Sequence, residues 1–574
     1  MPHATNLPTP RLQALILCGP GVSLNTFTSS PADLPKALLP IANRPMVWYP
    51  LDWCYRMGLT SITLITPPES APALEAALAT NPALTNLPNP KPEVLAPEGL
   101  SQTTGTGELL RLESVQRCIT GDFVVLPCDL VCEVEGTRVL QQWMTLNPLP
   151  AGSVKAGKRA GGMAVFYPTH GLEGISTKKD ETDFIATVPI AQPAVPPPQS
   201  SLRGNIEQIV VSMPTDTLND KLEEDKGFLR LRQSLMERHG RVKMRMKWRD
   251  AGVYVFPKWV KDFAKANDRF DSISEDVLGW WAKAGWQEGL AEKLGLREVL
   301  EPAQPTDDSG GDGGAEDEED DIDAAALSTT KSSRPPPQQK QSLFFATRVH
   351  TTPSAQRQPL TVPPLLAYIA PSPSPLIRRV DTSAQLLTIS LYLAKLPLDH
   401  PLSHDAKVHP SAQLDQQTRV SLEDSLIAEN VKLGFRSNVK ESVIGAGCEI
   451  GKNVRITRSL LMEGVVVGDG CVLVGCIVGR RARIEGVKVA AAPAGEGEAG
   501  ATDGVWKEKQ KKKKGEVDED EERTRLTECE VAPNYVVEAG TEAKGEKMMG
   551  FDTEGDDEEG FGAGEEEEED EMEE

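Results

Sequence analysis

The stretch NVKESVIGAGCEIGKNVRITRSLLMEGVVVGDG, Asn438 to Gly470, places Val439, Ile444, Ile450, Ile456, Leu461 and Val467 five or six residues apart, with small or polar residues between them. The same frame runs back through Leu433, Ile427, Val420, Leu414 and Val408, and forward through Leu473, Val478 and Ile484. Neither the period of an amphipathic helix nor the alternation of a half-buried strand gives this spacing. Hexapeptides of this kind predict a parallel β-helix, in which each aliphatic residue points into a prism and stacked rungs build the core that no rung has alone. The shortened steps at 439–444, 456–461 and 473–478 predict one tightened corner per coil.

Outside this region the chain changes character. At 574 residues it is too long for one core, so two or three domains are expected. The formal charge of −24 is concentrated: Asp307 to Asp323 holds ten acidic residues and no basic one, and Asp552 to Glu574 holds fifteen, again with no basic one. The remainder is close to neutral, so the low pI describes two acidic runs and not an acidic binding face. Such runs repel themselves and have little apolar surface to bury, which predicts solvated, disordered segments. The nine cysteines are scattered without a CxxC pair, which favours buried reduced thiols over disulfides or zinc. Met1 to Pro10 lacks the features of a signal peptide, and no stretch approaches the roughly 18 apolar residues of a membrane span. The expectation is a soluble cytosolic protein.

The first half alternates strand and helix. Leu12 to Leu17, Ser61 to Thr66 and Asp122 to Leu126 read as buried parallel strands; Pro45 to Met57, ending at Gly58, and Gly107 to Cys118 read as helices. This rhythm predicts a doubly wound α/β sheet with any ligand site in loops at the strand C-termini. Gly161 to Tyr167 and Ala251 to Phe256 read as further strands, with flexible insertions at 151–161 and 189–204. Ser272 to Trp286 reads as a helix whose three tryptophans pack a core. The expected organisation is a disordered N-terminus (1–10), an α/β domain (11–300), an acidic and Pro-rich linker (301–340), a connecting segment (341–400) with a helix over Thr382 to Leu396, a β-helix (401–550) interrupted at 490–522, and an acidic tail (551–574). The cluster Lys507, Lys509 and Lys511 to Lys514 in the interruption reads as a localisation or nucleic-acid patch, or as a solvated loop balanced by the acidic residues that follow.

Chemistry is concentrated in LILCGPGVSLNTFTSSPADLPKALLPIANRP, Leu15 to Pro45. A glycine-containing loop after a buried strand lets backbone N–H groups approach phosphates, and a following lysine adds fixed positive charge. Gly19 and Gly21, then Lys36 in LPKALLP, resemble the sugar-nucleotide pyrophosphorylase-like superfamily. Thr104-Gly105-Thr106 resembles that family's base-contacting loop, and Asp129, at a strand end, its metal-binding aspartate. A left-handed parallel β-helix after a nucleotidyltransferase-like domain is that family's arrangement. The chain departs from the family where the loop expects an arginine: it has Val22-Ser23, and the loop is one residue short. A serine supplies neither the fixed charge nor the fork of a guanidinium. Asp250 is the remaining candidate for a second metal carboxylate. Gly19, Gly21, Lys36, Thr104, Gly105 and Asp129 are therefore expected to be a vestigial nucleotide loop, with no catalytic residue, cofactor or metal assigned.

A closer resemblance is to the gamma-subunit family of eukaryotic translation initiation factor 2B, in its fungal form. It is carried by Leu34 to Trp53 (LPKALLPIANRPMVWYPLDW), Gly121 to Asp129 (GDFVVLPCD), the Asn438 to Gly470 stretch and Asn534 to Gly550 (NYVVEAGTEAKGEKMMG). The acidic C-terminal run differs from the helical exchange domain that marks the epsilon subunit. The resemblance implies a subunit of the guanine-nucleotide exchange factor for translation initiation factor 2. Its implied partners are the epsilon subunit, the alpha, beta and delta subunits, and factor 2 itself, with no membrane and no direct nucleic acid. Two other classes stay open. One is an active pyrophosphorylase with Mg²⁺, using Lys36 and Asp129 with Arg44 in the missing arginine's place. The other is a hexapeptide acyltransferase, for which His409 is the only histidine on the coils.

Overall fold

A computed structural model of the chain describes residues 12–101, 103–148, 160–171, 175, 180–198, 201–301, 360–373, 375–486 and 523–550. The expectations for 1–10, most of the 151–161 insertion, the acidic linker, the lysine-bearing interruption and the acidic tail lie outside the described residues.

Nine strands form the first sheet: β1 (Gln13–Leu17), β2 (Ser61–Ile65), β3 (Glu93–Leu95), β4 (Phe123–Pro127), β5 (Gly162–Pro168), β6 (Asp183–Pro189), β7 (Ile206–Pro214), β8 (Lys243–Phe256) and β9 (Leu365–Ile369). Their order is β3-β2-β1-β4-β8-β5-β9-β7-β6. The pairings among β3, β2, β1 and β4 are parallel, as the βαβ rhythm requires. From β8 onward the sheet is antiparallel except where β9 runs parallel to β5. Both faces of β1 are covered: Ala14 and Ile16 join a core with helix Trp48–Arg56, while Leu15 faces Val115, Phe263 and Trp281. Gly58, at φ +76°, ends the first helix in the left-handed conformation expected of it.

Three elements differ from expectation. The helix read over 107–118 is two, Thr106–Arg111 and Glu113–Cys118, broken where Leu112 turns extended and the Gln116 amide caps the freed Leu110 carbonyl at 2.6 Å. Within Ser272 to Trp286, Trp281 and Trp286 are buried but Trp280 is exposed. The segment read as a connector contributes β9 to the middle of the first sheet, and its strand Ile377–Arg379 pairs antiparallel with Leu130–Cys132. The helix read there is Ser383–Lys395, its N-terminus capped by the Thr382 hydroxyl accepting from Gln385 N.

The second domain is a three-sided parallel β-helix of three six-stranded sheets. One row stacks Leu414, Leu433, Ile450, Val467, Ile484 and Val537; a second stacks Val420, Val439, Ile456, Leu473, Leu526 and Ala543; the third stacks Ile427, Ile444, Leu461, Val478, Val531 and Met548. Each tightened corner has a residue at positive φ (Glu441, Arg458, Gly475) followed by a buried Ser or Cys. There Ser425, Ser442 and Ser459 each accept from the backbone N–H one coil, 17 residues, further on. The coil continues at Leu526 across the interruption in full register.

One face of the prism is apolar on both sides. Leu426, Val443, Leu460 and Ile477 point outward, opposite their inward neighbours, and join the core of the α/β domain together with Leu386 and Ile389 of helix Ser383–Lys395. Hairpin residues seal the seam: Arg44 donates to the carbonyls of Leu402 (3.0 Å) and Ser403 (2.8 Å), and Asn43 to that of Ile444 (2.9 Å).

Leu461, fully buried within the prism, should cost about 2–5 kcal/mol when changed to Ala, because the rungs around it are fixed and cannot collapse on the cavity. Leu414→Ala, half exposed on the first coil, should change stability by no more than about 0.5 kcal/mol. Urea denaturation followed by circular dichroism measures the difference.

Candidate functional site

The loop after β1 is closed by its own hydrogen bonds. Gly21 sits at φ +79°, and a Cβ there would lie 3.0 Å from Lys36 Cβ and 3.2 Å from Thr28 Oγ1, so only glycine fits. The next residues wind into a 3₁₀ turn, Val22–Leu24, which runs on into a helical turn, Asn25–Thr28. Thr28 Oγ1 lies 3.0 Å from the Gly21 carbonyl and 3.1 Å from that of Leu24. Val22, beside the position where the family expects its arginine, is exposed. Gly19 has open space around its Cα.

Lys36 and Asp129 are brought together: Nζ donates to Oδ2 at 2.7 Å, with both side chains largely removed from water. A second cation, Arg379, arrives from the strand paired with Leu130–Cys132. Its Nε donates to Asp129 Oδ1 at 3.2 Å and its Nη2 to Oδ2 at 3.3 Å. Burial alone would raise the Asp129 pKa, but Arg379 and then Lys36 hold the carboxyl well below the usual range. Burial likewise pushes the Lys36 ammonium down, and the Asp129 charge more than offsets it. Sequence reasoning missed Arg379 because it lies beyond the acidic linker; its one signal was a pair of arginines, Arg378-Arg379, in an otherwise apolar run.

The other candidates are employed elsewhere. Gly105 packs against Asp271, whose carbonyl and carboxylate oxygens would lie 2.2 Å from any added Cβ. Thr104 Oγ1 accepts from Ser101 N at 2.9 Å, within its own loop. Arg44 lies 4.1 Å over the Trp48 ring and binds the two carbonyls of the interdomain seam, so it is not available to replace the missing arginine. His409 lies on the first coil with Nδ1 2.8 Å from Ser411 Oγ. A cleft at the C-terminal ends of the parallel strands, where a doubly wound sheet takes ligands, is lined by Pro20, Pro31, Pro67, Pro68, Glu69, Ser70, Leu100 and Ser101. None of these residues offers a phosphate a positive charge.

Asp250, buried, lies beside the half-buried Asp183. Tyr254 OH donates to Asp250 Oδ2 at 2.7 Å, Gly252 N to Oδ1 at 2.8 Å, and the Asp250 N–H to Asp183 Oδ2 at 2.6 Å. Burial first, and then the Asp183 charge, push Asp250 up to about 7. Among the described residues no group of His, Cys, Asp and Glu is arranged to hold a metal ion.

Because Asp250 keeps its proton to higher pH in the folded chain than in the unfolded one (ordinary Asp about 3.9), its contribution makes stability fall as pH rises from about 4 to about 7. The slope is at most about 1.4 kcal/mol per pH unit. His404, pushed down to about 4 by burial, contributes with the opposite sign in part of that window. The check is therefore a comparison of thermal unfolding against pH for the parent chain and Asp250→Asn, in which the fall from about 4 to about 7 should shrink.

Comparison with known proteins gives a family match on the β-helix and a curated relative. The family described as EIF2B subunit epsilon LbH domain matches residues 404–492, which makes the β-helix of the left-handed kind. A curated relative from Schizosaccharomyces pombe, translation initiation factor eIF2B subunit gamma, is 27% identical over 297 residues, covering 52% of this chain and 56% of that protein. The aligned region thus spans about half the length of the relative. Both likenesses fall on subunits of one factor, and the chain resembles its gamma subunit.

Proposed function

We propose that this chain is a non-catalytic subunit of the guanine-nucleotide exchange factor for translation initiation factor 2, acting in the cytosol. It would pair with the epsilon subunit, beside the alpha, beta and delta subunits, to promote GDP release and translation initiation. The observation that carries the reading is Asp129: the carboxylate that a nucleotidyltransferase would give to a metal is neutralised by Lys36 and Arg379. The proline-lined cleft and the short helical loop at Val22–Leu24 support the same conclusion. Gly19, Gly21, Lys36, Thr104, Gly105 and Asp129 are then the remains of a nucleotide loop serving local geometry. Exchange needs no covalent chemistry: a partner that binds nucleotide-free substrate more tightly than the GDP-bound form lowers GDP affinity by linkage.

GDP release from factor 2 by the epsilon subunit, measured with and without this chain, should be faster with it. Under the same conditions, nucleoside triphosphate and sugar phosphate should yield no pyrophosphate. Pyrophosphate formation with no effect on GDP release would instead establish an active sugar-nucleotide pyrophosphorylase. Lys36→Ala in the assembled complex should leave exchange within about twofold, a difference under about 0.5 kcal/mol, because Arg379 still neutralises Asp129. A large exchange defect in an intact complex would show that the loop still works.

A further inference from the structure

The resemblance to nucleotidyl-transferring enzymes implies a divalent cation on Asp129, and the residues around that carboxylate do not fit one. Both carboxylate oxygens already accept charged donors: Oδ1 from Arg379 Nε, and Oδ2 from Lys36 Nζ and Arg379 Nη2. Two cations thus hold the one carboxylate, and Arg379 also lies in the field of Asp381. An incoming divalent ion would be repelled by both cations and would have to displace the Lys36 ammonium or the Arg379 guanidinium from the carboxylate. Hard divalent cations also take several oxygen ligands, and Asp250 is already engaged with Tyr254, Gly252 and the neighbouring Asp183.

We infer that Arg379 is this chain's own replacement for the metal, a cation fixed in the fold by the strand that follows the linker. The strand is held by more than the ion pair. Ile377, Arg378 and Arg379 pair in register with Cys132, Val131 and Leu130. Val380 N donates to the Asp129 carbonyl at 2.8 Å, so the backbone next to the guanidinium is bonded to the residue whose side chain it neutralises. At the other end Leu376 N donates to Glu133 Oε2 at 2.9 Å, and Glu133 N to the Leu376 carbonyl at 2.8 Å. Five consecutive residues are thus tied along the segment that follows Asp129. Arg379 cannot exchange with solvent cations as a bound metal does, and it places fixed positive charge at the strand end whatever the magnesium concentration. The inference rests on the nucleotidyltransferase-like placement of Asp129 and not on membership of an exchange factor, so its test involves neither factor 2 nor GDP.

Mn²⁺ binding by the full-length chain, followed by electron paramagnetic resonance, tests it. The acidic runs supply weak background sites, so the quantity read is the difference between variants that share them. The parent chain and the double variant Arg379→Gln/Asp129→Asn should bind the same amount of Mn²⁺. Arg379→Gln alone should gain Asp129-dependent Mn²⁺ binding, weak because Lys36 still holds Oδ2, and lost again on adding Asp129→Asn. An Asp129-dependent Mn²⁺ ion in the parent chain would overturn the inference. So would a folded Arg379→Gln chain that binds no more Mn²⁺ than the parent. Should Arg379→Gln fail to fold, the parent chain measured against Asp129→Asn still decides: equal binding upholds the inference, and a loss with Asp129→Asn overturns it.

Discussion

The structure depends on a single row of outward-facing aliphatic residues. Leu426, Val443, Leu460 and Ile477 stand on the outer surface of one prism face, where a solvated β-helix would carry polar side chains. Their burial against helix Ser383–Lys395 and the hairpin around Ala42 makes one continuous core out of two domains with unrelated periodicities. At roughly 25 cal/mol per Å² of apolar surface, four such side chains outweigh the few polar contacts along the seam. Those contacts set the register instead: His404 Nε2 meets the Ala42 carbonyl at 2.6 Å, and Thr26 donates to Glu530 at 3.0 Å where the apolar row gives way to charge.

The same helix accounts for the site. Strand Ile377–Arg379 leads directly into Ser383–Lys395, so anchoring the helix between the domains also fixes the strand that carries Arg379 to Asp129. Arg378, on the opposite side of that strand, lies 4.9 Å over the Tyr167 ring and is almost fully buried, with Nε and Nη2 unpartnered among the described residues. A buried guanidinium with two unused donors is a net cost. The strand therefore keeps its place through its backbone pairing and the Asp129 clamp, and the segment that follows the linker is as much a part of the α/β domain as β1.

The prism was legible because its period belongs to no other secondary structure: each aliphatic residue named from the sequence between Leu414 and Ile484 lies on its expected row. The parallel half of the first sheet was legible for a similar reason, since Leu12 to Leu17 and Asp122 to Leu126 are apolar runs of strand length. What escaped was non-local. The doublets Leu426-Ile427, Val443-Ile444, Leu460-Leu461 and Ile477-Val478 recur on one side of the first four coils, whereas the other two sides pair a polar residue or a valine with the inward aliphatic. That difference marks the buried face, but its meaning depends on a helix that precedes the coils. Arg379 is harder still: nothing local distinguishes a guanidinium that will neutralise a carboxylate 250 residues away from one that will stay in water. Of the loop candidates, Gly21, Lys36 and Asp129 do converge, while Thr104 and Gly105 turn to their own neighbours.

A fused core and a self-neutralised carboxylate have a common consequence for what such a chain can contribute. Binding that must first order a hinge between two domains loses part of its free energy to that ordering, and here the hinge is filled by Leu426, Val443, Leu460 and Ile477. Binding that depends on a metal–nucleotide complex varies with the supply of both, and here Arg379 removes the carboxylate from that equilibrium. On the exchange-factor reading, free energy gained at the chain's surfaces is then available to discriminate between nucleotide-free and GDP-bound substrate, which is the difference that linkage converts into faster release. On that reading the neutralised carboxylate and the packed seam between the domains belong together, because both return to the segment from Ile377 to Lys395.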